Sequence, residues 1–281
     1  MKGHVGLEEI ELLPLVKAYP NLSRQYGEIS CVAGLRLSGV DLPEWIRLYP
    51  VPFRTLDRGD QQFRKYQPIR VKVGAPKNDR RPESRRADAD SIEIAGQRIG
   101  TEEGWRSRRS IVEPAISKSM CAIQQEQRDS GTSLGMFRVA EFFDLLIEEV
   151  EPDPEKSNMA DAWAAQRSLL QADELEVERE ALEQIPYRFK YRYRCSATGC
   201  RTHTQSIVDW EIAQLFRQVR ERPDWRELIR AKWLKEMCGA NKDTALIVGN
   251  QHQYPNSFLV LGVWWPPKQP EQLSLADVSD V

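Results

Sequence analysis

Cys195, Cys200 and His203 lie within nine residues of one another, in the spacing Cys-x4-Cys-x2-His. Thiolates and a neutral imidazole are the ligands zinc takes in tetrahedral sites, usually with two of them close in sequence. Three such groups on one loop predict a metal site, with zinc as the ion and a structural role. A fourth ligand must come from elsewhere, and Cys238 and His252 are the candidates. Three ligands and a water would instead make a catalytic centre. The plainer alternative is two half-buried thiols beside a surface histidine.

The segment leading into this loop, Tyr187-Arg-Phe-Lys-Tyr-Arg-Tyr-Arg194, alternates aromatic and basic residues without exception. Successive side chains of a strand point to opposite faces. Tyr187, Phe189, Tyr191 and Tyr193 therefore share one face, and Arg188, Lys190, Arg192 and Arg194 share the other. Cations repeating every ~7 Å along a strand repel one another unless anions answer them. A phosphate backbone would answer them, and the rings could stack bases. The alternative is that the rings are core and the cations pair with the protein's own carboxylates.

Phosphodiester cleavage would need acid–base groups and carboxylates in one place. His203, Asp209 and Glu211 are the catalytic candidates, with Asp243, Asn250 and His252 as further polar residues. Asp209 and Glu211 lie two apart on a predicted helix and so do not face the same way. Helix solvation and loop hydrogen bonding are the plainer reading. The chain has no G-x-x-x-x-G-K-[ST], G-x-G-x-x-G or G-x-S-x-G. ATPase, dinucleotide-dependent and lipase-type chemistry therefore lack support.

The elements that must position these groups divide by charge. From Arg47 to Arg86 there are twelve Lys/Arg against four Asp/Glu, an excess of +8. Strands are expected at Glu28–Leu35, Glu44–Pro50 and Gln67–Val73, the last alternating apolar and basic residues. Pro82 makes Asn78–Arg86 a loop. From Glu141 to Glu183 there are fourteen acids against three bases, or -11, which reads as helices with a solvated or partner-docking face. The Phe137–Glu149 segment fits either a helix or a strand. Further on, Ser206–Arg220 carries Val208, Ile212, Leu215, Phe216 and Val219 at helical spacing. Asp224-Trp-Arg-Glu227 has the spacing of a capping box for a second helix. Thr244–Gly249 and Ser257–Trp265 are apolar strands, and the acidic tail from Glu271 is expected to be disordered.

Hydrophobic residues make up 41% of the chain and charged residues 29%, enough for a buried core. Net charge is -2, so only the distribution of charge informs about partners. No apolar run approaches a membrane span. The start of the chain lacks the pattern of a signal peptide. Five scattered cysteines then suggest a reduced, cytoplasmic setting rather than disulfides.

Three blocks resemble a family of uncharacterised bacterial proteins. They are Ser30–Gly34 through Arg47–Arg54; Asp79–Ser84; and Tyr193–His203 with Asp209–Glu211, Val248–Asn250 and Phe258–Gly262. The resemblance spans nearly the whole chain and carries no activity to transfer. It implies only that polar residues of these blocks hold whatever site exists: Arg47, Arg54, Arg80, Arg81, Glu83, His203, Asp209, Glu211 and Asn250.

The expected fold is α+β: a basic β-rich region over 1–110, an acidic, mainly helical region over 111–184, a strand–helix–helix–hairpin unit over 185–268, and a tail over 269–281. The expected function is nucleic-acid binding, in bacterial genome defence or nucleic-acid processing. Phosphates would be met by Arg47, Arg54, Arg80, Arg81, Arg188, Lys190, Arg192 and Arg194, with zinc at Cys195, Cys200 and His203. The rivals are a phosphodiesterase or nuclease, and a protein-interaction subunit docking through the acidic helices.

Overall fold

Every second residue of Ile69-Arg-Val-Lys-Val73 is buried and the basic ones between stand outside, as the period-2 pattern predicts. This strand belongs to a closed barrel. The computed structural model describes residues 6–23, 27–39, 43–52, 62–151, 153–154 and 183–269. Its first strands are β1 (Glu8–Lys17), β2 (Asn21–Ser23), β3 (Gly27–Arg36), β4 (Trp45–Val51), β5 (Ile69–Gly74), β6 (Ser84–Ala87) and β7 (Glu93–Ile94). The first half of β1 pairs with β5 and its second half with β3. β3 pairs with β4, β4 runs parallel to β6, and β6 pairs with β5. Ile10, Leu12, Val32, Ile46, Leu48 and Val71 fill the interior. Where β1 bulges between Pro14 and Val16, its backbone closes onto Gly34, whose missing Cβ would lie 2.2 Å from the Leu13 carbonyl oxygen.

The rest of the chain gives α1 (Glu102–Val112), β8 (Ile116–Ser117), α2 (Met120–Ser130), β9 (Leu134–Glu149), β10 (Tyr187–Cys195), β11 (His203–Ser206), α3 (Trp210–Val219), α4 (Trp225–Arg230), β12 (Ala245–Gln251) and β13 (Tyr254–Trp264). The expected α+β class with a helical middle is wrong: the protein is mostly β, a five-stranded barrel and a half-barrel sheet, and the helices among the described residues are few and small. The 16-residue strand β9 runs where the middle was expected to be helical. Its leucines and acids suit a helix, but its backbone is claimed on both edges, by β12 over residues 134–138 and by β10 over 139–149. Tertiary pairing of this kind overrides local preference. Arg54, the acidic helices expected over 161–183 and the tail from 271 lie outside the described residues.

The half-barrel repeats the topology of the first barrel. Its long first strand, β9, splits its pairing between the fourth strand, β12, and the second, β10. β10 pairs with β11, and β12 with β13. The open side is spanned by an isolated parallel bridge, Ile207 to Val260, which joins the end of the third strand to the fifth. Both units thus follow the order first-second-third-fifth-fourth, with third parallel to fifth. This is the Greek-key order of the OB fold. The helices α3 and α4 lie between third and fourth strands and bury Ile212, Phe216, Trp225 and Ile229 against the aromatic face of β10.

The barrels join through a shared apolar layer. Leu13 and Leu15 of β1 and Ala33 and Leu35 of β3 meet Met136, Ala245, Ile247, Leu261 and Trp264. Trp264 is fully buried, with Trp105 edge-on at 5.0 Å and Tyr66 at 6.1 Å. This layer covers the outer face of the first barrel's second strand. No helix among the described residues is long and apolar enough to cross a membrane.

Candidate functional site

The end of β10 and the start of β11 bring Cys195 and His203 side by side, because Tyr193 faces His203 in the ladder. The Tyr193 ring stacks on the imidazole at 5.3 Å. Gly199, at φ 70, turns the intervening loop so that Cys200 folds back, a conformation that suits a residue without Cβ. The fourth group is Cys121, in the first turn of α2, whose cap Ser119 accepts the Ala122 N–H at 3.0 Å. Sulfur–sulfur separations are 3.2 Å (Cys195–Cys200) and 3.6 Å (Cys195–Cys121); His203 Nε2 lies 3.2 Å from Cys200 and 3.7 Å from Cys195 and Cys121. All four ligand atoms lie within 4.8 Å of one another. A tetrahedral ion with Zn–S bonds near 2.3 Å would set sulfurs about 3.8 Å apart, so the group can hold a metal ion with little rearrangement. Without a cation its thiols interact strongly. Burial raises Cys195, but N–H groups of Ala197 and Cys121, then Cys200 and His203, outweigh it and bring it to about 6. Burial and then Cys195 push Cys121 up to about 12.

Neither proposed fourth ligand takes part. Cys238 lies 3.2 Å from the Trp233 carbonyl, and His252 lies 3.4 Å from Asp79. The three catalytic candidates also separate. His203 belongs to the metal-binding group, whereas Asp209 and Glu211 clasp Lys65. Asp209 caps α3 by accepting the Glu211 N–H at 2.9 Å, and both its oxygens accept from Lys65 Nζ, at 2.8 and 3.0 Å. Glu211 Oε2 lies 3.0 Å from the same nitrogen. Burial alone would lower the Lys65 ammonium, but the two carboxylates outweigh it and hold it charged. The cluster ties the loop before β5 to the second barrel.

The β10 row divides as the alternation requires. Phe189, Tyr191 and Tyr193 are core, with the Tyr193 hydroxyl donating to Gln205 at 2.6 Å, so these rings are closed to bases. The cations face outward. Lys190 pairs with Glu148 at 2.5 Å and Arg194 with Glu141 at 2.8 Å, both from β9. Arg188 and Arg192 have no carboxylate within 4 Å among the described residues, and Arg192 lies over the Phe143 ring at 5.9 Å. Half of the expected polyanion row is therefore already neutralised from within.

A second polar assembly forms where the β5–β6 loop of the first barrel meets the β12–β13 hairpin of the second. Arg81 folds onto Asp79 and donates to the Asn250 carbonyl at 2.5 Å. Asp79 also accepts from Ser84 at 2.8 Å and faces His252. Beneath them Arg47, only 2% exposed, donates to Ser133 Oγ at 2.6 Å and Ser133 O at 2.9 Å. Glu83 accepts the Ser133 N–H at 2.8 Å. Arg47 thus braces the junction instead of meeting solvent, because the second barrel covers it. Tyr49 of β4, near enough to Arg81 and Asp79 to feel their charge, is 43% exposed, and Tyr254 at the start of β13 is 61% exposed. Burial raises the Tyr49 hydroxyl. Lys77, Arg80 and Arg86 are exposed and make no ion pair among the described residues.

A family model described as "Domain of unknown function (DUF8757)" matches residues 116–280, more than half of the chain. The chain belongs to the DUF8757 family. A second model, "Domain of unknown function (DUF8758)", matches residues 8–114. No curated protein matches the chain. The models meet between the barrels, so the DUF8757 region contains all four cysteine and histidine ligand candidates, and the DUF8758 region contains Tyr49 and the basic loop.

Two groups of candidate residues escaped the sequence. Cys121 lies 74 residues before Cys195, with no spacing pattern to link them. Tyr49 and Tyr254 look like ordinary strand residues. Their signal was weak: each stands next to a proline, Pro50 and Pro255, in segments whose other aromatics turn inward.

Proposed function

We propose that the protein binds nucleic acid at the junction of its two barrels, with a structural zinc in the Cys121/Cys195/Cys200/His203 group. One observation carries the reading: Lys77 and Arg80 of the loop between fourth and fifth strands, Arg86 of the fifth strand and the rings of Tyr49 and Tyr254 are all exposed, and the three cations make no ion pair among the described residues. In OB folds this loop and the second–third strand face take oligonucleotides or oligosaccharides. Cations without ion-pair partners among the described residues favour the phosphate-bearing ligand, and exposed rings add stacking. Zinc fits because the four groups are three thiols and an imidazole, which leave no position for a substrate and suit a structural ion. It would pin α2 to the β10–β11 turn and so hold the half-barrel's curvature.

The test is fluorescence anisotropy with a labelled single strand at increasing salt. Three neutralised phosphates predict a slope of log K against log[salt] near -2, and Lys77→Ala with Arg80→Ala together should weaken binding at least tenfold. No binding, salt-independent binding, or an unaffected double variant overturns the reading.

A further inference from the structure

The face that an OB barrel offers to a long strand is mostly closed here. On the outer side of β3, Ala33 and Leu35 are buried beneath the second barrel, and on β4 Arg47 is buried against Ser133. Exposure returns only at Tyr49, one turn of the pleat further along β4. The hairpin from Asn250 to Tyr254 closes the same side, held by the Arg81–Asn250 and Asp79–His252 contacts. A Cβ on Gly249 would come within 3.1 Å of the Arg47 guanidinium, so that side chain lies close against the β12 backbone. A strand entering over Lys77 and Arg80 and stacking on Tyr49 thus meets a wall after a few nucleotides.

We propose, resting on the nucleic-acid reading above, that the junction takes the end of a single strand or a short oligonucleotide, and not an internal stretch of a long one. The terminal base stacks on Tyr49. Tyr254 flanks it from the hairpin, and the following phosphates run outward past Arg80, Lys77 and Arg86. The blocked side limits the contact to a few nucleotides, at the lower end of the ~4–16 that OB barrels cover. A duplex cannot supply the unstacked base without fraying.

The experiment compares oligothymidylates of graded length, then a linear and a covalently closed circular strand of one sequence, on the full chain with its metal. Affinity should level off by about four nucleotides, and the circle should bind at least tenfold more weakly than the linear strand. Tyr49→Ala should lower the plateau affinity about tenfold, in the range of one lost base stack, with an unchanged melting temperature. Affinity that keeps rising with length, or equal binding of circle and line, overturns the end-on proposal while sparing the parent reading. Absence of binding to every probe overturns both.

Discussion

The two barrels share a strand order but are closed by different means. The first closes through backbone pairing all the way round, with β1 bonded to both β3 and β5, around an interior of Ile, Leu and Val. The second has a parallel bridge at Ile207 where its seam should be. It compensates with α3 and α4 packed on the aromatic face of β10 and with the Cys121/Cys195/Cys200/His203 group at the turn. A closed ladder needs no external clamp, whereas an open one must fix its curvature by other contacts. The difference also assigns tasks: the first barrel supplies exposed cations and Tyr49, and the second covers the rest of that face.

Removing the proposed zinc would test this contrast most severely. Structural zinc contributes ~10–16 kcal/mol of apparent binding energy in small zinc-dependent domains, more than any side-chain truncation. Purified protein should contain about one zinc per chain, and Cys121→Ser should lose it as fully as Cys195→Ser. Chelation should lower the melting temperature by more than 10 °C while the first barrel resists proteolysis longer than the second. Full zinc retention by Cys121→Ser would show that the fourth ligand is misassigned. The next largest effect belongs to the layer between the barrels. Trp264→Ala empties a fully buried site and should cost about 3–5 kcal/mol. Trp264→Phe should cost less, because it removes an indole N–H that has no hydrogen-bond partner among the described residues. Denaturant titration of both variants would measure this. Equal losses would mean that ring size at this position is irrelevant to the joint.

How much of this was written in the sequence depends on whether a feature is local. Alternation in Ile69–Val73 and Tyr187–Arg194 is a property of adjacent residues, and both segments place their side chains on the expected faces. The spacing of Cys195, Cys200 and His203 is equally local, and the three do meet. What failed depended on distant partners. β9 is a strand because β12 and β10 lie on its two sides, and the residues of Phe137–Glu149, which fit a helix as well as a strand, do not decide between them. Cys121 is a ligand candidate because α2 docks at the β10–β11 turn. The basic excess from Arg47 to Arg86 was real as a count but misleading as a surface. Arg47 is buried, Arg81 is folded onto Asp79, and Lys65 is clasped by Asp209 and Glu211. Which cations remain free is decided by the fold.

A smaller effect is expected at Gly34, where the first barrel's closure is tightest. A methyl group there would stand 2.2 Å from the Leu13 carbonyl oxygen, well inside contact distance, and backbone must move to admit it. Gly34→Ala should cost about 1–3 kcal/mol, as overpacking does, and should lower the first barrel's resistance to proteolysis without releasing zinc. Zinc loss in this variant would mean that the barrels are not independent in the way their separate closures imply.

The smallest expected effect distinguishes ionic from apolar contributions at the far end of the joint. Burial alone would raise the Asp243 carboxyl, but hydrogen bonds and charge from Arg138 and Arg109 outweigh it and hold it below the usual range. A carboxyl depressed in the folded state adds stability above its unfolded value near 4 and loses it as pH falls through the folded value. The native protein should therefore lose this contribution below about pH 4. Asp243→Asn lacks it at every pH, so the variant should be slightly weaker at pH 7, by about 1 kcal/mol or less because Arg138 is half exposed. Below pH 4 the two should converge. Thermal unfolding at stepped pH reads this directly. A gap that persists undiminished into acid would show that Asp243 acts through shape and hydrogen bonding rather than charge.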